Sequence, residues 1–263
     1  MKRRAVLLDA LRRSGRVLKR RFGKVGYREK GRADLVTVAD LESQRAALGA
    51  IRRAFPGDDY KAEEDEVKLT GAEYLWLVDP LDGTTNYAHG YPASCVSIGV
   101  LRRGRPFLGG IHDPSRDELF LAEKGKGATL NGRRIHVSTP RRVADSLLIT
   151  GFAYDRARRA DFYLAPFKAF LTRSHDVRRS GSAALDMAWI AAGRADGFWE
   201  YKLKPWDVAA GWLLVQEAGG MVTDFSGRAW GDPATIGAET LATNGRVHTE
   251  MLRILRSRSG RRA

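Results

Sequence analysis

The sequence has 263 residues, 43% of them hydrophobic, which is enough to bury a sizeable core in one large domain or two tightly packed lobes. Its single cysteine excludes an intramolecular disulfide and favours a reducing cytoplasm. No stretch approaches the roughly eighteen apolar residues of a membrane span, and charged residues interrupt the N-terminal apolar run too early for a secretory signal. The composition therefore predicts a cytoplasmic globular protein that does not bind membranes.

The net charge of +14 is concentrated at the two ends of the chain. Residues 1–32 hold thirteen Lys and Arg against two acids, a net charge of +11, and residues 251–263 hold five Arg and no acid. The remaining residues carry a net charge of −2. Such ends are consistent with a solvated first helix and a frayed tail, or with weak binding of a polyanion such as RNA through counterion release.

The first half of the chain predicts two helices followed by strands. Apolar residues from Ala5 to Leu18 recur at a helical period, and a second helix is expected from Asp40 to Phe55, before Pro56 and Gly57. Short apolar or alternating runs predict a largely antiparallel sheet, with strands at 74–78, 93–101, 106–112 and 117–122. Asn131-Gly132 is a strong hairpin signal between segments 128–130 and 135–137.

The second half alternates strands with helices, which predicts a mixed α/β layer. Strands are expected at 147–149, 176–178 and 197–199, and helices at 160–171, 182–192 and 205–218. No internal repeat or Pro/Gly linker is evident in the sequence. We therefore expect a single domain over residues 1–263, with an α+β lobe over about 1–140 and an α/β lobe over 141–263.

The run from Trp76 to Tyr87 carries the strongest chemical signal. An apolar strand leads into Asp79 and Asp82, and Pro80 restricts the backbone between them, so that both carboxylates can converge at the end of the strand. Carboxylates together with phosphate and water suit Mg²⁺. Residues 83–85, Gly-Thr-Thr, then offer amides and hydroxyls that favour a phosphate. Taken alone, the same residues are also consistent with a strand that ends in an ordinary turn.

A second block follows about 125 residues later. Residues 204–211, Lys-Pro-Trp-Asp-Val-Ala-Ala-Gly, lead to Glu-Ala-Gly-Gly at 217–220. Pro205 and Asp207 would also suit a helix start. The two blocks resemble the two signature motifs of the inositol monophosphatase family: Asp-Pro-(Ile/Leu)-Asp-Gly-Thr, and Trp-Asp-x-Ala-(Ala/Gly)-Gly followed by Glu-Ala-Gly-Gly.

Further segments extend the resemblance over roughly residues 5–255. They are Asp-Leu-Val-Thr-Val-Ala-Asp at 34–40, Ala-Glu-Glu at 62–64, Gly-Ser-Ala-Ala at 181–184 and Asp-Gly-Phe-Trp-Glu at 196–200. Ala62 departs from the family's Gly-Glu-Glu, a change that bears on how the loop presents Glu63. The resemblance implies a layered α-β-α-β-α sandwich of the sugar-phosphatase type.

The resemblance also implies a site for two or three Mg²⁺ ions, with Mn²⁺ as an alternative. Glu63, Asp79 and the Leu81 carbonyl would hold the first ion, and Asp79, Asp82 and Asp207 the second. A third ion would lie mostly in water near Glu63.

Catalytic and substrate-binding residues follow from the same family positions. Thr84, held by Asp40, would orient and deprotonate the attacking water, with Glu63 as a second candidate base. Asp40 is also consistent with a plain helix N-cap. The implied substrate-binding residues are Asp82, Gly83, Thr84, Gly181, Ser182, Ala183, Glu200 and Asp207. Arg178 and Arg179 lie nearby, where they would contact a second phosphate or form a strand-end salt bridge.

The function implied is a Li⁺-sensitive phosphomonoesterase that converts inositol monophosphate and water to inositol and phosphate, and assembles as a homodimer. Related enzymes with the same metal site act on fructose-1,6-bisphosphate, histidinol phosphate or 3′-phosphoadenosine 5′-phosphate, so these substrates stay open. Residues 85–87, Thr-Asn-Tyr, are closer to the inositol type than to the nucleotide bisphosphatases.

Overall fold

The computed structural model describes residues 2–31, 34–65, 69–231 and 235–259. The helices are α1 (Arg3–Arg21), α2 (Val38–Ala54), α3 (Thr84–Ala88), α4 (Ala160–Leu171), α5 (Ala183–Ala191), α6 (Pro205–Glu217) and α7 (His248–Ser259). The strands of the first half are β1 (Tyr27–Gly31), β2 (Asp34–Thr37), β3 (Asp59–Ala62), β4 (Tyr74–Asp82), β5 (Cys95–Arg102), β6 (Arg105–Asp113), β7 (Glu118–Glu123), β8 (Gly127–Leu130) and β9 (Arg133–Arg134). Those of the second half are β10 (Leu147–Thr150), β11 (Asp176–Arg178), β12 (Gly197–Tyr201), β13 (Met221–Thr223) and β14 (Glu239–Thr243).

The strands form two large sheets and one small hairpin. The first sheet has seven strands in the order β3-β4-β5-β6-β7-β8-β9, and all its pairs are antiparallel except β3 with β4. The second has five strands in the order β11-β10-β12-β14-β13, with β10 parallel to both of its neighbours. Within the described ranges, strands β1 and β2 pair with each other alone. The largely antiparallel first half and the mixed second half match the sequence patterns.

Helices and sheets stack in five layers. Helices α1 and α2 pack on the outer face of the seven-stranded sheet, α5 and α6 lie between the two sheets, and α4 and α7 lie near the far side of the five-stranded sheet. Three apolar clusters fill the spaces between these layers. The α-β-α-β-α order therefore confirms the expected fold class.

Glycines allow α6 to approach the first sheet closely. A Cβ atom on Gly99 would stand 2.5 Å from the Cβ of Ala209, and one on Gly109 would stand 2.9 Å from the carbonyl oxygen of Ala210. A larger residue at either of these two positions would push the helix away. Helix α6, which starts with the Pro-Trp-Asp motif, also contacts β13 and β14 of the second sheet.

Several details differ from the sequence-based expectations. Helix α2 begins at Val38 with Thr37 as its N-cap, so the alternative that Asp40 is the N-cap is wrong. After the Asn131-Gly132 turn the returning strand is Arg133–Arg134 rather than 135–137. The described part of the expected frayed tail is helical to Ser259, and residues 260–263 lie outside the described residues. No helix in the described ranges is long and apolar enough to cross a membrane.

Candidate active site

The carboxylates of Asp79 and Asp82 reach the same pocket because strand β4 is irregular between them. In a regular strand, residues three apart point to opposite faces. The pairing of β4 with β5 shifts register between these two residues, around Pro80 and Leu81. As a result, Asp79 and Asp82 both line a pocket of about 610 Å³.

Glu63 reaches the pocket from the neighbouring strand β3. Ala62, the last residue of β3, is 1% exposed and pairs in register with Val78. Its φ is not positive, so alanine fits this position without strain. The Glu63 amide donates to the Val78 carbonyl at 3.2 Å, and Glu63 lines the pocket. The replacement of the family glycine therefore leaves Glu63 beside Asp79 and Asp82.

Two further acids occupy the same position at the start of two different helices. Asp207 is the third residue of α6, where it accepts a hydrogen bond from the Lys204 amide at 2.8 Å. Asp40 is the third residue of α2 and accepts from the Thr37 amide at 2.7 Å. In each case one oxygen caps the helix, a local interaction that sequence can predict. Asp207 also lines the pocket, whereas Asp40 lies behind it, fully buried.

Thr84 connects Asp40 with the pocket. Its hydroxyl oxygen lies 3.0 Å from Asp40 Oδ1 and 3.0 Å from the Leu81 carbonyl oxygen, both of which accept from it. Thr84 lines the pocket, and so does Leu81. The structure therefore places a threonine hydroxyl between a buried carboxylate and the space where a substrate would sit.

The turn after β4 depends on glycine. Gly83 has a φ of +88°, and a Cβ atom there would stand 2.8 Å from the Ala93 carbonyl oxygen. Asn86, in the short helix α3, donates to that carbonyl at 2.7 Å and to the Ser180 carbonyl at 2.8 Å. These hydrogen bonds join the turn at residues 83–85 to the segment that leads into α5.

Segment 181–184 contacts Asp82 directly. Ser182 Oγ donates to Asp82 Oδ2 at 2.6 Å, and the Ala184 amide donates to the same oxygen at 2.7 Å. Gly181 and Ala183 line the pocket, while Ser182 lies behind its wall at 1% exposure. Of the three predicted substrate-binding residues here, two line the pocket and the side chain of the third holds Asp82.

Burial and like charges dominate the electrostatics of the pocket. Burial, together with the carboxylates of Glu63, Asp82 and Asp207, raises the pKa of Asp79 well above its usual range. Burial and Asp82 raise the pKa of Asp207 in the same way. Burial raises the pKa of Glu63 to about 7, although Lys30 Nζ lies 3.0 Å from its Oε1 and opposes the shift. Burial and mutual repulsion thus disfavour the charged forms of these carboxylates.

Glu200 stands on strand β12 across the pocket from β4. It is 8% exposed, and burial raises its pKa to about 8, with Asp186 adding to the shift. Asp186, in α5, lines the same pocket and bonds to Ser180. Burial raises the pKa of Asp186 well above its usual range. Glu200 is therefore a pocket residue, as expected.

The chemistry of the pocket fits a hard cation. The donors are the carboxylates of Glu63, Asp79, Asp82 and Asp207 and the carbonyl of Leu81, all of them oxygen atoms. In the described part of the chain, no three His, Cys, Asp or Glu side chains already stand close enough to hold a metal ion. Positive charge placed among these carboxylates would offset their mutual repulsion.

Sequence reasoning missed several residues of the pocket. They are Lys30, Asp34, Tyr154, Arg156, Asp186, Lys202, Lys204 and Trp206. Lys30 also contacts Glu64 at 2.6 Å, from strand β1, which has no chemical motif. Arg179 lines the pocket, whereas Arg178 forms the expected strand-end salt bridge, to Asp176. In sequence, the residues around Asp186 are those of an ordinary helix. Only the burial of Asp186 beside Glu200 identifies it as a residue of the pocket.

Comparisons with known proteins agree with this geometry. A model of the inositol monophosphatase family matches residues 2–259. Inositol-1-monophosphatase from Synechocystis sp. is 45% identical over 240 residues, covering 89% of this chain and 82% of that protein. The Nus factor SuhB of Pseudomonas aeruginosa is 43% identical over 230 residues, covering 84% and 85% of the two chains.

Solved structures lead to the same group. The inositol monophosphatase from Anabaena (Nostoc) sp. superposes with a TM-score of 0.87 at 44% identity, covering 96% of this chain and 94% of that one. Fold and site thus define a phosphatase of mixed α/β architecture. The chain belongs to the inositol monophosphatase family, whose members generally depend on Mg²⁺.

Proposed function

We propose that this protein is a Mg²⁺-dependent, Li⁺-sensitive phosphomonoesterase that hydrolyses inositol monophosphate. The observation that carries the proposal is the gathering of four carboxylates around one pocket beside the Gly83–Thr84 turn. The 45% identity to an inositol-1-monophosphatase supports the choice of substrate. A homodimer, a cytoplasmic location and the use of Mn²⁺ in place of Mg²⁺ stay predictions.

Metal binding would use the oxygen donors of the pocket. Glu63, Asp79 and the Leu81 carbonyl would hold one ion, and Asp79 with Asp82 and Asp207 another. A third ion near Glu63 would be held mostly by water. When bound, Mg²⁺ supplies positive charge for the phosphate and lowers the pKa of a coordinated water.

The chain's own residues would then position and deprotonate the attacking water. Asp40 is buried and accepts from the Thr84 hydroxyl. Thr84 Oγ1 would take a proton from water in the pocket as its own proton passes to Asp40. Glu63, with a pKa of about 7, is a second candidate base at neutral pH. The amides of Gly83 and Thr84 would receive phosphate oxygens.

The substrate's hydroxyl groups would bind on the opposite wall. Glu200 and Asp207 would accept from them, and the backbone of residues 181–183 would supply further partners. Fructose-1,6-bisphosphate, histidinol phosphate and 3′-phosphoadenosine 5′-phosphate are the alternative substrates. Arg156 and Arg179 are basic residues of the same pocket, and they would bind a second anionic group of such a substrate.

Phosphate release from a panel of these four compounds, with Mg²⁺ and with EDTA, tests the proposal. We expect turnover only with Mg²⁺, and fastest with inositol 1-phosphate. If another compound leads, the phosphatase stands and the substrate assignment moves to that compound. Absence of turnover on the whole panel, in folded protein, would contradict the proposal.

Asp82→Asn tests the residue assignment. The change keeps the size of the side chain but removes a charge among the metal donors, so kcat should fall by about 10² or more while the fold persists. Asp161→Asn, an exposed aspartate in α4 that does not line the pocket, is the matched control and should leave kcat unchanged. Near-native turnover in Asp82→Asn would refute its role.

We also propose, as a second function, weak polyanion binding through basic surfaces. The net charge of +11 over residues 1–32 supports it. Relatives named Nus factor SuhB, a name that indicates a role beyond hydrolysis, add support. Retention on heparin that falls steeply with salt is the expected result.

A further inference from the structure

Helices α1 and α2 lie side by side in opposite directions on the outside of the molecule. Arg21, at the end of α1, bonds to Glu42 near the start of α2, and Arg3, at the start of α1, bonds to Asp58 just beyond the end of α2. Ser14 Oγ donates to the Ser43 carbonyl at 2.9 Å and fixes the register between them. A shallow groove of about 320 Å³ runs along the outer surface of this pair.

The walls of the groove are arginines and its floor is made of small or apolar residues. The exposed arginines are Arg13, Arg16 and Arg20 from α1 and Arg45 and Arg53 from α2. The floor residues are Val17, Ala46, Gly49 and Ala50. A Cβ atom on Gly49 would meet nothing within 4 Å, so the groove is open there. Helical spacing on both helices brings the five guanidinium groups to one surface.

Most of this positive charge has no acidic partner within the protein. In the described ranges, Arg16, Arg45 and Arg53 form no salt bridge. Arg13 bonds to Asp9, and Arg20 shares Glu42 with Arg21. Like charges three and four residues apart on a helix are destabilising, so the free protein gains nothing from this arrangement. A bound polyanion would remove the repulsion.

We propose that this arginine groove binds the phosphate backbone of a nucleic-acid strand. Arginine matches phosphate oxygens with two parallel hydrogen bonds. From residue 13 to residue 20 the groove is about 10 Å long at 1.5 Å per helical residue, room for several phosphates. Among the residues that the structure describes, no aromatic side chain lines it, so bases would not stack there and binding would be insensitive to sequence.

This inference rests on the second proposed function and is independent of the phosphatase. The polyanion site is then not confined to the chain ends but is a surface shared between residues 13–20 and residues 45–53. None of the groove arginines lines the carboxylate pocket. Changes in the groove should therefore leave phosphate release unaltered.

Fluorescence anisotropy of a labelled mixed-sequence RNA of about 20 nucleotides, titrated between about 50 and 200 mM salt, tests the groove. The groove variant is Arg16→Gln, Arg45→Gln and Arg53→Gln combined. The control variant, Arg4→Gln, Arg12→Gln and Lys19→Gln combined, removes the same charge from exposed positions of α1 outside the groove. Each variant is also assayed for phosphate release and thermal stability.

We expect the groove variant to bind at least tenfold more weakly and to lower the slope of log K against log salt by about 2, from about 0.7 per phosphate contact. The control should bind clearly more tightly than the groove variant. Equal losses in both variants would overturn the groove while leaving diffuse polyanion binding intact. Absence of RNA binding by the native protein would overturn both the groove and the proposed polyanion binding. Displacement of the RNA by polyglutamate at equal charge would assign the groove to an acidic protein segment instead.

Discussion

Asp40 and Asp207 show how one side chain can serve two purposes. Both occupy the third position of a helix and accept from the backbone of the N-cap residue. The local role stabilises the helix start, by about 1 kcal/mol in typical cases, and is readable from sequence. The second role depends on what faces the other carboxylate oxygen. For Asp40 that partner is Thr84, 44 residues away.

Thr84 offers a direct test of the proposed base. Thr84→Val keeps the shape of the side chain but removes the hydroxyl that lies 3.0 Å from Asp40 Oδ1. We expect kcat to fall by about 10²–10⁴, the usual contribution of general base catalysis. Thr84→Ser, which keeps the hydroxyl, is the control and should retain most of the activity. If the valine variant turns over at the native rate, Thr84 does not take part in proton transfer.

Glu200, a proposed substrate-binding residue, should lower the stability of the folded protein at high pH. Its folded-state pKa of about 8 lies above the ordinary value of 4.5. The folded state therefore binds more protons between these values, and stability falls as pH rises through the range. In EDTA, Glu200→Gln should be more stable than the native protein at pH 8, by about 4 kcal/mol, and less dependent on pH. Its KM for the substrate should rise.

Thermal melts at pH 5 and pH 8 provide the measurement for Glu200. Glu29→Gln, an exposed glutamate on β1, is the control and should melt like the native protein at both values. Equal melting temperatures for Glu200→Gln and the native protein at pH 8 would contradict the assignment of a buried, destabilised carboxylate.

At the scale of elements, the site is assembled by contacts between segments far apart in the chain. Asn86 in α3 reaches the Ser180 carbonyl, and Ser182 at the start of α5 reaches Asp82 at the end of β4. These bonds lock the turn after β4 against α5 across about 100 residues of sequence. The position of residues 181–184 relative to Asp82 depends on them.

The docking of α7 should show its own pH dependence. His248, the first residue of α7, is 3% exposed, and burial lowers its pKa to about 4. Its ring nitrogens lie 2.9 Å from Thr243 Oγ1 and 3.0 Å from Thr223 Oγ1. Because the folded-state pKa lies below the unfolded value of 6.5, the contribution of His248 to the free energy of unfolding is fully present above pH 6.5. It is lost as pH falls through about 4.

We expect this loss to be about 2 kcal/mol in the native protein and to be smaller in His248→Gln. Denaturant unfolding at pH 7 and pH 4.5 measures it. His175→Gln, at an exposed position, should leave the pH dependence as it is in the native protein. An unchanged dependence in His248→Gln would place the titrating group elsewhere.

At the scale of the whole molecule, the carboxylate pocket predicts that metal and fold are coupled. Mg²⁺ that binds only the folded state stabilises it by about 2.7 kcal/mol at a hundredfold excess over Kd. This corresponds to a rise of several degrees in Tm. Asp79→Asn should raise the Tm in EDTA, because it removes a buried repulsive charge. The variant should lose most of the Mg²⁺-dependent rise.

Differential scanning fluorimetry with saturating Mg²⁺ and with EDTA gives this result directly. Asp161→Asn should show the same Mg²⁺-dependent rise as the native protein. A full rise in Asp79→Asn would mean that the stabilising ion binds outside the pocket.

The arginine groove becomes visible only in the folded molecule. By sequence, residues 33–250 carry a net charge of −2, which gives no reason to expect a basic surface there. The antiparallel packing of α1 and α2 nevertheless brings Arg45 and Arg53 beside Arg13, Arg16 and Arg20. Net charge is a sum over the chain, whereas a binding surface depends on which residues are neighbours in space.

The sequence by itself determined the family, the main helices and strands, and five acids of the pocket, namely Glu63, Asp79, Asp82, Glu200 and Asp207. Local patterns were sufficient because periodicity, turn chemistry and the two Asp motifs act over a few residues. Tertiary structure alone decided that Ser182 holds Asp82, that Lys30 and Asp186 join the pocket, and that arginines of two helices share a groove. These features arise from packing between distant segments, and burial, which sets the pKa values of the pocket, exists only once that packing is complete.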